Sequence, residues 1–316
     1  MRIVRVPLRV SFIGGGTDLP ELYQVCSGGV VSMAISKYVY VIVNKRDPIF
    51  TSKYRISYRD ITEYVSNISD IQHDFIRYVM SCNKIDFPIE VITVADITGR
   101  GSGLGSSSAV LNGCIAGTDF EGLHQERKYI ADESFRIERM YRKCGKQDHY
   151  ATALGGIRSY KFNKDGTVDI SNSLEHLCGP LIHRMFLVYT GILSDKTESI
   201  LNEQSLKIDV AVEMNKLTSI FLAALDTQDY KLCYELIDES WKLKMQYSPD
   251  ITNDKIDDMM ELLRENGASG MKILGSGGGG FILGFHSDKN ELRSRIPLDY
   301  FDVSIDNQGL VIERMS

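Results

Sequence analysis

Gly101-Ser102-Gly103-Leu104-Gly105-Ser106-Ser107-Ser108-Ala109 sets three spaced glycines directly before three serines. Glycines let a backbone crowd a ligand or take a positive φ. The run Ala109 to Ala116 behind them is compatible with a helix. The first turn of such a helix offers unpaired N–H groups and partial positive charge, which together suit a phosphate. The loop therefore predicts nucleotide phosphates, with the serine hydroxyls near a bound Mg²⁺. A glycine turn with serine as an ordinary helix N-cap would use the same residues.

A second glycine run, Gly275-Ser276-Gly277-Gly278-Gly279-Gly280, satisfies GxGxxG. Dinucleotide binding needs a helix directly after that pattern, whereas Phe281-Ile282-Leu283 reads as a strand. The protein-kinase glycine loop does sit between strands, but VAIK, HRD and DFG are absent. A Walker A loop ends in GK[ST], and neither cluster carries that lysine. A hairpin turn with close backbone packing is the simplest account of 275–280.

The elements that must position these loops are legible in outline. Leu8, Val10 and Phe12 alternate with Arg9 and Ser11, the period of a strand with two different faces. Gly14-Gly15-Gly16 breaks it and delivers Thr17-Asp18-Leu19-Pro20, itself a good helix-start signature. Further strands are expected over 34–44 and 89–97, and helices over 74–81 and 132–143. The second half predicts a strand over 185–189, then helices over 201–225, 230–245 and 254–266, with Gly267 as the last one's stop. Strand 271–274, the glycine turn and strand 281–285 follow, and a helix over 290–295 and a strand over 310–314 complete an α+β module. A domain boundary is expected near 170–182, giving domains over 1–175 and 176–316.

With 316 residues, 43% hydrophobic and 25% charged, the chain has the composition of a two-domain globular enzyme. A net charge of −6 argues against a nucleic-acid binder relying on a general basic surface. Six cysteines without a CxxC pair fit reduced thiols, and six histidines without HExxH spacing give a zinc hydrolase little support. No targeting segment is visible, and the uncharged stretch 185–194 is too short to span a bilayer. A soluble cytoplasmic protein with no membrane partner, monomeric or homodimeric, is expected.

Three separated motifs resemble those of the GHMP small-molecule kinases, named for galactokinase, homoserine, mevalonate and phosphomevalonate kinases. They are Pro7 to Asp18, Gly101 to Ala109, and Lys272 to Gly280, and their order spans nearly the whole chain. Within that family, Pro7 to Pro20 and Gly145-Lys146-Gln147-Asp148 are most similar to the bacterial heptose 7-phosphate kinases, with fucose kinases as close relatives. Two positions depart from the family pattern. Gly99 stands where the second motif often starts with proline, and Gly15-Gly16 replace the acidic-His pair of galactokinases, which argues against galactose.

The resemblance implies a two-domain α+β architecture, with a ribosomal-S5-like N-terminal domain and a ferredoxin-like C-terminal domain. It implies ATP and Mg²⁺ as cofactors and a sugar or sugar phosphate as acceptor, phosphorylated on its anomeric oxygen. Asp148 is then the base or orienting group for the attacking hydroxyl, and Arg9 the cation that steadies it. Gly101, Ser102, Gly103, Leu104, Gly105, Ser106, Ser107 and Ser108 hold ATP. Thr17, Asp18, Gly15, Gly16, Gly277 and Gly278 bind the acceptor. Ser106 or Ser107 ligates Mg²⁺ with Glu138. Lys37, Arg100 and Lys146 are candidates for an acceptor phosphate by charge and by proximity to the motifs. Two rivals are a fucose-type sugar 1-kinase and a non-catalytic nucleotide-binding descendant.

Overall fold

The computed structural model describes residues 1–49, 52–97, 101–122 and 126–315. Its first element, β1 (Arg2–Ile13), is buried without interruption from Val6 to Ile13. A strand wrapped on both faces loses the alternation of burial that its sequence alternation suggests. Here β1 lies between two neighbours and under helices. After it come α1 (Pro20–Cys26) and the 18-residue β2 (Gly28–Lys45). The hairpin β3 (Tyr54–Tyr58) and β4 (Ile61–Val65) precedes α2 (Asp74–Cys82) and β5 (Ile89–Ala95).

The glycine loop then feeds α3 (Ser106–Thr118), followed by α4 (Arg127–Tyr141), α5 (Gln147–Leu154), β6 (Ile157–Phe162) and β7 (Val168–Ile170). Strand order in this sheet is β12-β1-β2-β5-β3-β4, with β6 beside the first part of β2 and β7 beside β6, where β12 is Val311–Arg314. Helix α3 lies directly on β1 and β2. A Cβ on Gly113 would stand 2.5 Å from Val41 Cγ2, and one on Gly117 2.8 Å from Val43 Cγ2. Glycine at this i, i+4 pair thus sets the depth of the helix against the sheet.

The remaining chain forms α6 (Glu175–Arg184), β8 (Met185–Tyr189), α7 (Thr197–Gln204), α8 (Ile208–Asp226), α9 (Tyr230–Met245), α10 (Asp254–Glu265), β9 (Ser269–Ile273), β10 (Phe281–Phe285), α11 (Lys289–Arg295) and β11 (Tyr300–Phe301). Its four-stranded antiparallel sheet has the order β11-β8-β10-β9. Numbered within the module, that is 4-1-3-2, with helices between its first and second strands and between its third and fourth, the ferredoxin-like arrangement. One apolar cluster runs from Val4, Val6 and Leu8 under the first sheet to Leu187, Phe281 and Leu283 under the second, so the two sheets share a core.

Three expectations change. The helix expected over 201–225 is two helices, broken at 205–207 where Ser205 and Lys207 donate their N–H groups to Leu201 and Gln204 carbonyls. Helix α3 starts at Ser106 rather than Ala109, so the three serines are its first turn and Gly105, at φ +77°, is the cap residue. The strand expected over 310–314 forms, but it pairs antiparallel with β1 and belongs to the first sheet. A division of the chain at 175/176 therefore leaves β12 on the far side of its own sheet.

Candidate active site

Strand β1 and helix α5 bring a cation and a carboxylate face to face. Arg9, 2% exposed, donates from Nε to Asp148 Oδ1 and from an Nη to Oδ2, each at 2.7 Å, and its other Nη donates to the Gly103 carbonyl. The Arg9 backbone N–H donates to Leu104 O at 3.0 Å. A single residue of β1 thus ties the glycine loop to α5. A carboxylate has about four lone-pair positions, and a bidentate arginine takes two. Asp148, whose side chain keeps about a quarter of its surface open, retains the others for a ligand hydroxyl. Asp148 lies in the first turn of α5 without capping it.

The helix start is instead held by Asp18. Its buried carboxylate accepts from the Gln147 N–H (3.0 Å), Gln147 Nε2 (3.1 Å) and the Gly16 N–H (3.2 Å). Burial, with the nearby Asp148 charge, pushes its carboxyl up, and the backbone donors pull against that. Helix α1 follows Leu19 with no side-chain cap, so the helix-start role expected of Asp18 is exercised on α5, 129 residues away.

The two glycine runs stand back to back. A Cβ on Gly103 would lie 2.4 Å from Leu274 O, one on Gly275 2.4 Å from Gly103 Cα, and one on Gly280 2.5 Å from Ser102 O. Backbones this close leave room for hydrogen atoms only. The 275–280 turn supports the 101–105 loop from behind. Gly277 and Gly278, expected at the acceptor, are committed elsewhere: Gly278 N–H donates to Ile251 O at 2.8 Å, and Ser194 Oγ donates to Gly277 O at 2.7 Å.

Beyond the loop, Ser107 Oγ donates to Glu138 Oε1 at 2.9 Å and Ser108 Oγ to Oε2 at 3.1 Å, linking α3 to α4. His149 Nε2 lies 2.7 Å from Glu138 Oε2, and Arg142, one turn after Glu138, donates from Nε to Oε1 at 2.8 Å and also reaches Ser107 Oγ. Burial raises the Glu138 carboxyl, but His149, Arg142 and Ser107 outweigh it and bring it to about 2. The donor set fits Mg²⁺: an ionised carboxylate and serine hydroxyls are hard oxygen ligands at the start of a helix suited to phosphate. The Ser106 hydroxyl turns instead toward Ser102 Oγ, at 3.3 Å.

Several expected acceptor contacts are placed otherwise. Thr17 is fully buried; its hydroxyl donates toward Gly14 O (2.8 Å) and accepts from the Gly29 N–H (3.0 Å), so it braces the turn. Lys146 donates to Gly166 O and lies over the Tyr23 and Phe135 rings. Lys37, five residues beyond Ser32 on β2, has Asp302 as its acidic neighbour. Arg100 lies outside the described residues. A Cβ on Gly16 would meet Gln204 Nε2, whereas one on Gly15 would make only ordinary contacts, the nearest Ser11 Oγ at 3.8 Å.

Lys244 and Lys272, both buried beside this site, were not singled out from sequence. Lys272 stands in the third motif, where the glycines draw attention first. Its position between apolar Met271 and Ile273 in a buried strand is the available signal. Arg142 was equally open to detection, at helical i, i+4 spacing from Glu138.

Comparisons with known proteins identify the family. The GHMP kinases N terminal domain family matches residues 73–156 and the GHMP kinases C terminal family residues 221–297, together just over half of the chain. The chain is 28% identical over 307 residues to a D-glycero-alpha-D-manno-heptose 7-phosphate kinase of Campylobacter jejuni, covering 90% of each protein. Among solved structures it resembles a D-glycero-D-manno-heptose 1-phosphate kinase from Bacteroides thetaiotaomicron (TM-score 0.79, 18% identity, 100% of both chains). It also resembles Methanococcus jannaschii mevalonate kinase (TM-score 0.73, 20% identity, 96% of this chain and 98% of that one). Arg9 and Asp18 precede both family matches, so their places rest on the structure itself.

Proposed function

Because the chain belongs to the GHMP kinases, we propose that it transfers the γ-phosphoryl group of ATP to the anomeric hydroxyl of a sugar phosphate, with D-glycero-D-manno-heptose 7-phosphate as the acceptor. The observation that carries the chemistry is the Arg9–Asp148 pair set against the glycine loop.

Phosphoryl transfer asks for in-line positioning, neutralised charge and an acceptor for the hydroxyl proton. We assign the ATP phosphates to the loop 101–105 and the N–H groups opening α3, where backbone donors and the helix dipole converge. The acceptor hydroxyl then sits on a free lone pair of Asp148, which takes its proton as the O–P bond forms. Arg9 fixes both carboxylate oxygens and orients Asp148 for that step. Asp18 holds the first turn of α5, and with it the height of Asp148 above the loop. Ser107 and Glu138 are assigned to Mg²⁺, which would supply charge neutralisation on the β- and γ-phosphates.

The deciding experiment is an ADP-release assay over a panel of sugars and sugar phosphates, with the product's phosphate position read by ³¹P NMR. Turnover of the heptose 7-phosphate to a 1,7-bisphosphate is expected. Efficient turnover of free fucose, with no gain from a phosphate on the acceptor, would replace the heptose assignment with a fucose-type one. Nucleotide binding without turnover of any sugar would point to a non-catalytic descendant.

A further inference from the structure

The space above Gly15 is lined by donors that the fold leaves under-used. A Cβ placed on Gly15 would have Ser11 Oγ at 3.8 Å, Gln147 Nε2 at 4.0 Å and Lys272 Nζ at 4.0 Å as its three nearest neighbours. Ser11 is 4% exposed, and its hydroxyl has no hydrogen-bond partner among the described residues. Lys272 is 3% exposed, and among the described residues its ammonium donates only to Phe12 O, at a long 3.4 Å. Gln147 Nε2 spends one N–H on Asp18 and keeps the other.

The charge around this space does not balance. Arg9 is matched by Asp148, and the Asp18 carboxylate is satisfied by the start of α5. Lys244 donates to the Ile273 and Gly275 carbonyls, and no acidic side chain lies within ion-pair distance of either buried lysine among the described residues. A buried ammonium without a counter-charge is costly, and two near each other repel. Burial pulls both lysines well below the usual value; Arg9 adds to this at Lys272, while at Lys244 Lys272 and Arg9 add to it and the Asp18 and Asp148 charges work against it. A dianion brought by the ligand would remove that cost.

We propose that Ser11, Gln147 and Lys272 form a subsite for a phosphate group carried by the acceptor, with Lys244 adding to its positive field. This rests on the kinase function proposed above. The acceptor rather than the nucleotide is the source because none of the three nearest atoms belongs to loop 101–108, whereas Gly105 stands directly against Asp148. Gly15 itself is half-buried. Lys272 is therefore a specificity residue: it favours a sugar phosphate over the free sugar.

The test uses Lys272→Met and, as a smaller change, Ser11→Ala. In steady-state assays, Lys272→Met is expected to raise KM for the sugar phosphate roughly 10- to 100-fold, the worth of a charge-assisted hydrogen bond. KM for ATP should stay within about twofold, and Ser11→Ala should move the acceptor KM in the same direction but less. An unchanged acceptor KM in folded Lys272→Met overturns the subsite. A rise in the ATP KM instead overturns its assignment to the acceptor. Calorimetric titration of inorganic phosphate into protein saturated with Mg²⁺ and a non-hydrolysable ATP analogue separates this proposal from the kinase reading. With the γ-position filled, phosphate binding that Lys272→Met abolishes supports the subsite even if no sugar is turned over. Phosphate binding that persists in the variant overturns it.

Discussion

Arg9 and Asp148 form a two-pronged ion pair, 2.7 Å on each prong, between residues 139 apart in the chain. The same guanidinium reaches the Gly103 carbonyl, so the pair also fixes where the glycine loop ends and α5 begins. Asp148→Asn keeps the size and one acceptor but loses the charge and the proton-accepting capacity. Turnover is expected to fall roughly 10²- to 10⁴-fold with an ordinary far-UV spectrum and a nearly unchanged KM for ATP. Wild-type rates in ADP-release assays of that variant would end the assignment of Asp148.

Glu138 and Arg142 make opposite predictions. Glu138→Gln removes the carboxylate that Ser107, Ser108 and His149 hold in place, and should raise the Mg²⁺ concentration needed for half-maximal nucleotide binding. Arg142→Ala removes a cation that competes for the same oxygens and should lower it. Titration of a fluorescent nucleotide at graded Mg²⁺ reads both; movement in the same direction would exclude the Ser107–Glu138 pair as the metal ligands.

Gly275→Ala tests the contact between the two glycine runs. The new methyl would stand 2.4 Å from Gly103 Cα at a residue with φ +71°. A loss of about 1–3 kcal/mol in stability is expected from the clash and the backbone strain. A raised KM for ATP should accompany it, because the displaced segment is the phosphate loop. A stability loss with unchanged ATP affinity would show that the loop keeps its shape without this support.

Lys272 gives a pH signature. Burial and the Arg9 charge hold its ammonium at about 7 in the folded chain, against about 10.4 when unfolded. Between these values the unfolded chain binds more protons at this residue, so its contribution to stability rises with pH. The penalty is fully present below pH 7 and fades toward pH 10. Lys272→Met, which lacks it, should exceed wild type in thermal midpoint by more at pH 7 than at pH 10. A difference that does not change with pH would mean Lys272 stays protonated throughout.

The 101–105 loop was legible because the backbone approach it makes is open to few residues besides glycine, and glycine clusters stand out in any sequence. Asp148 and Arg9, and the expectation that one steadies the other, were legible by resemblance; the two-pronged geometry of the pair came from the structure. Asp18 was singled out as an acceptor ligand, yet its oxygens are taken by the start of α5, a long-range partner that no local signature encodes. Lys272 was hidden for a different reason. A buried lysine has the same letter as a solvated one, and only its packing between Met271 and Ile273 distinguishes it. The break between α7 and α8 was missed because apolar spacing continues across it, while the helix ends depend on capping carbonyls. The placement of β12 beside β1 depends on pairing, which propensity and period do not specify.

That placement has a bearing on how the enzyme is made. Strand β1 carries Arg9 in the middle of the first sheet, but its outer neighbour is the last strand in the chain, with Arg2 opposite Arg314. During synthesis β1 emerges long before β12, so that edge stays uncovered until residues 311–314 have been made. The ion pair at the heart of the proposed chemistry is thus seated in a sheet that is not finished until β12 has been made. A ribosome that stopped shortly before β12 would release a chain holding every motif and an open strand edge.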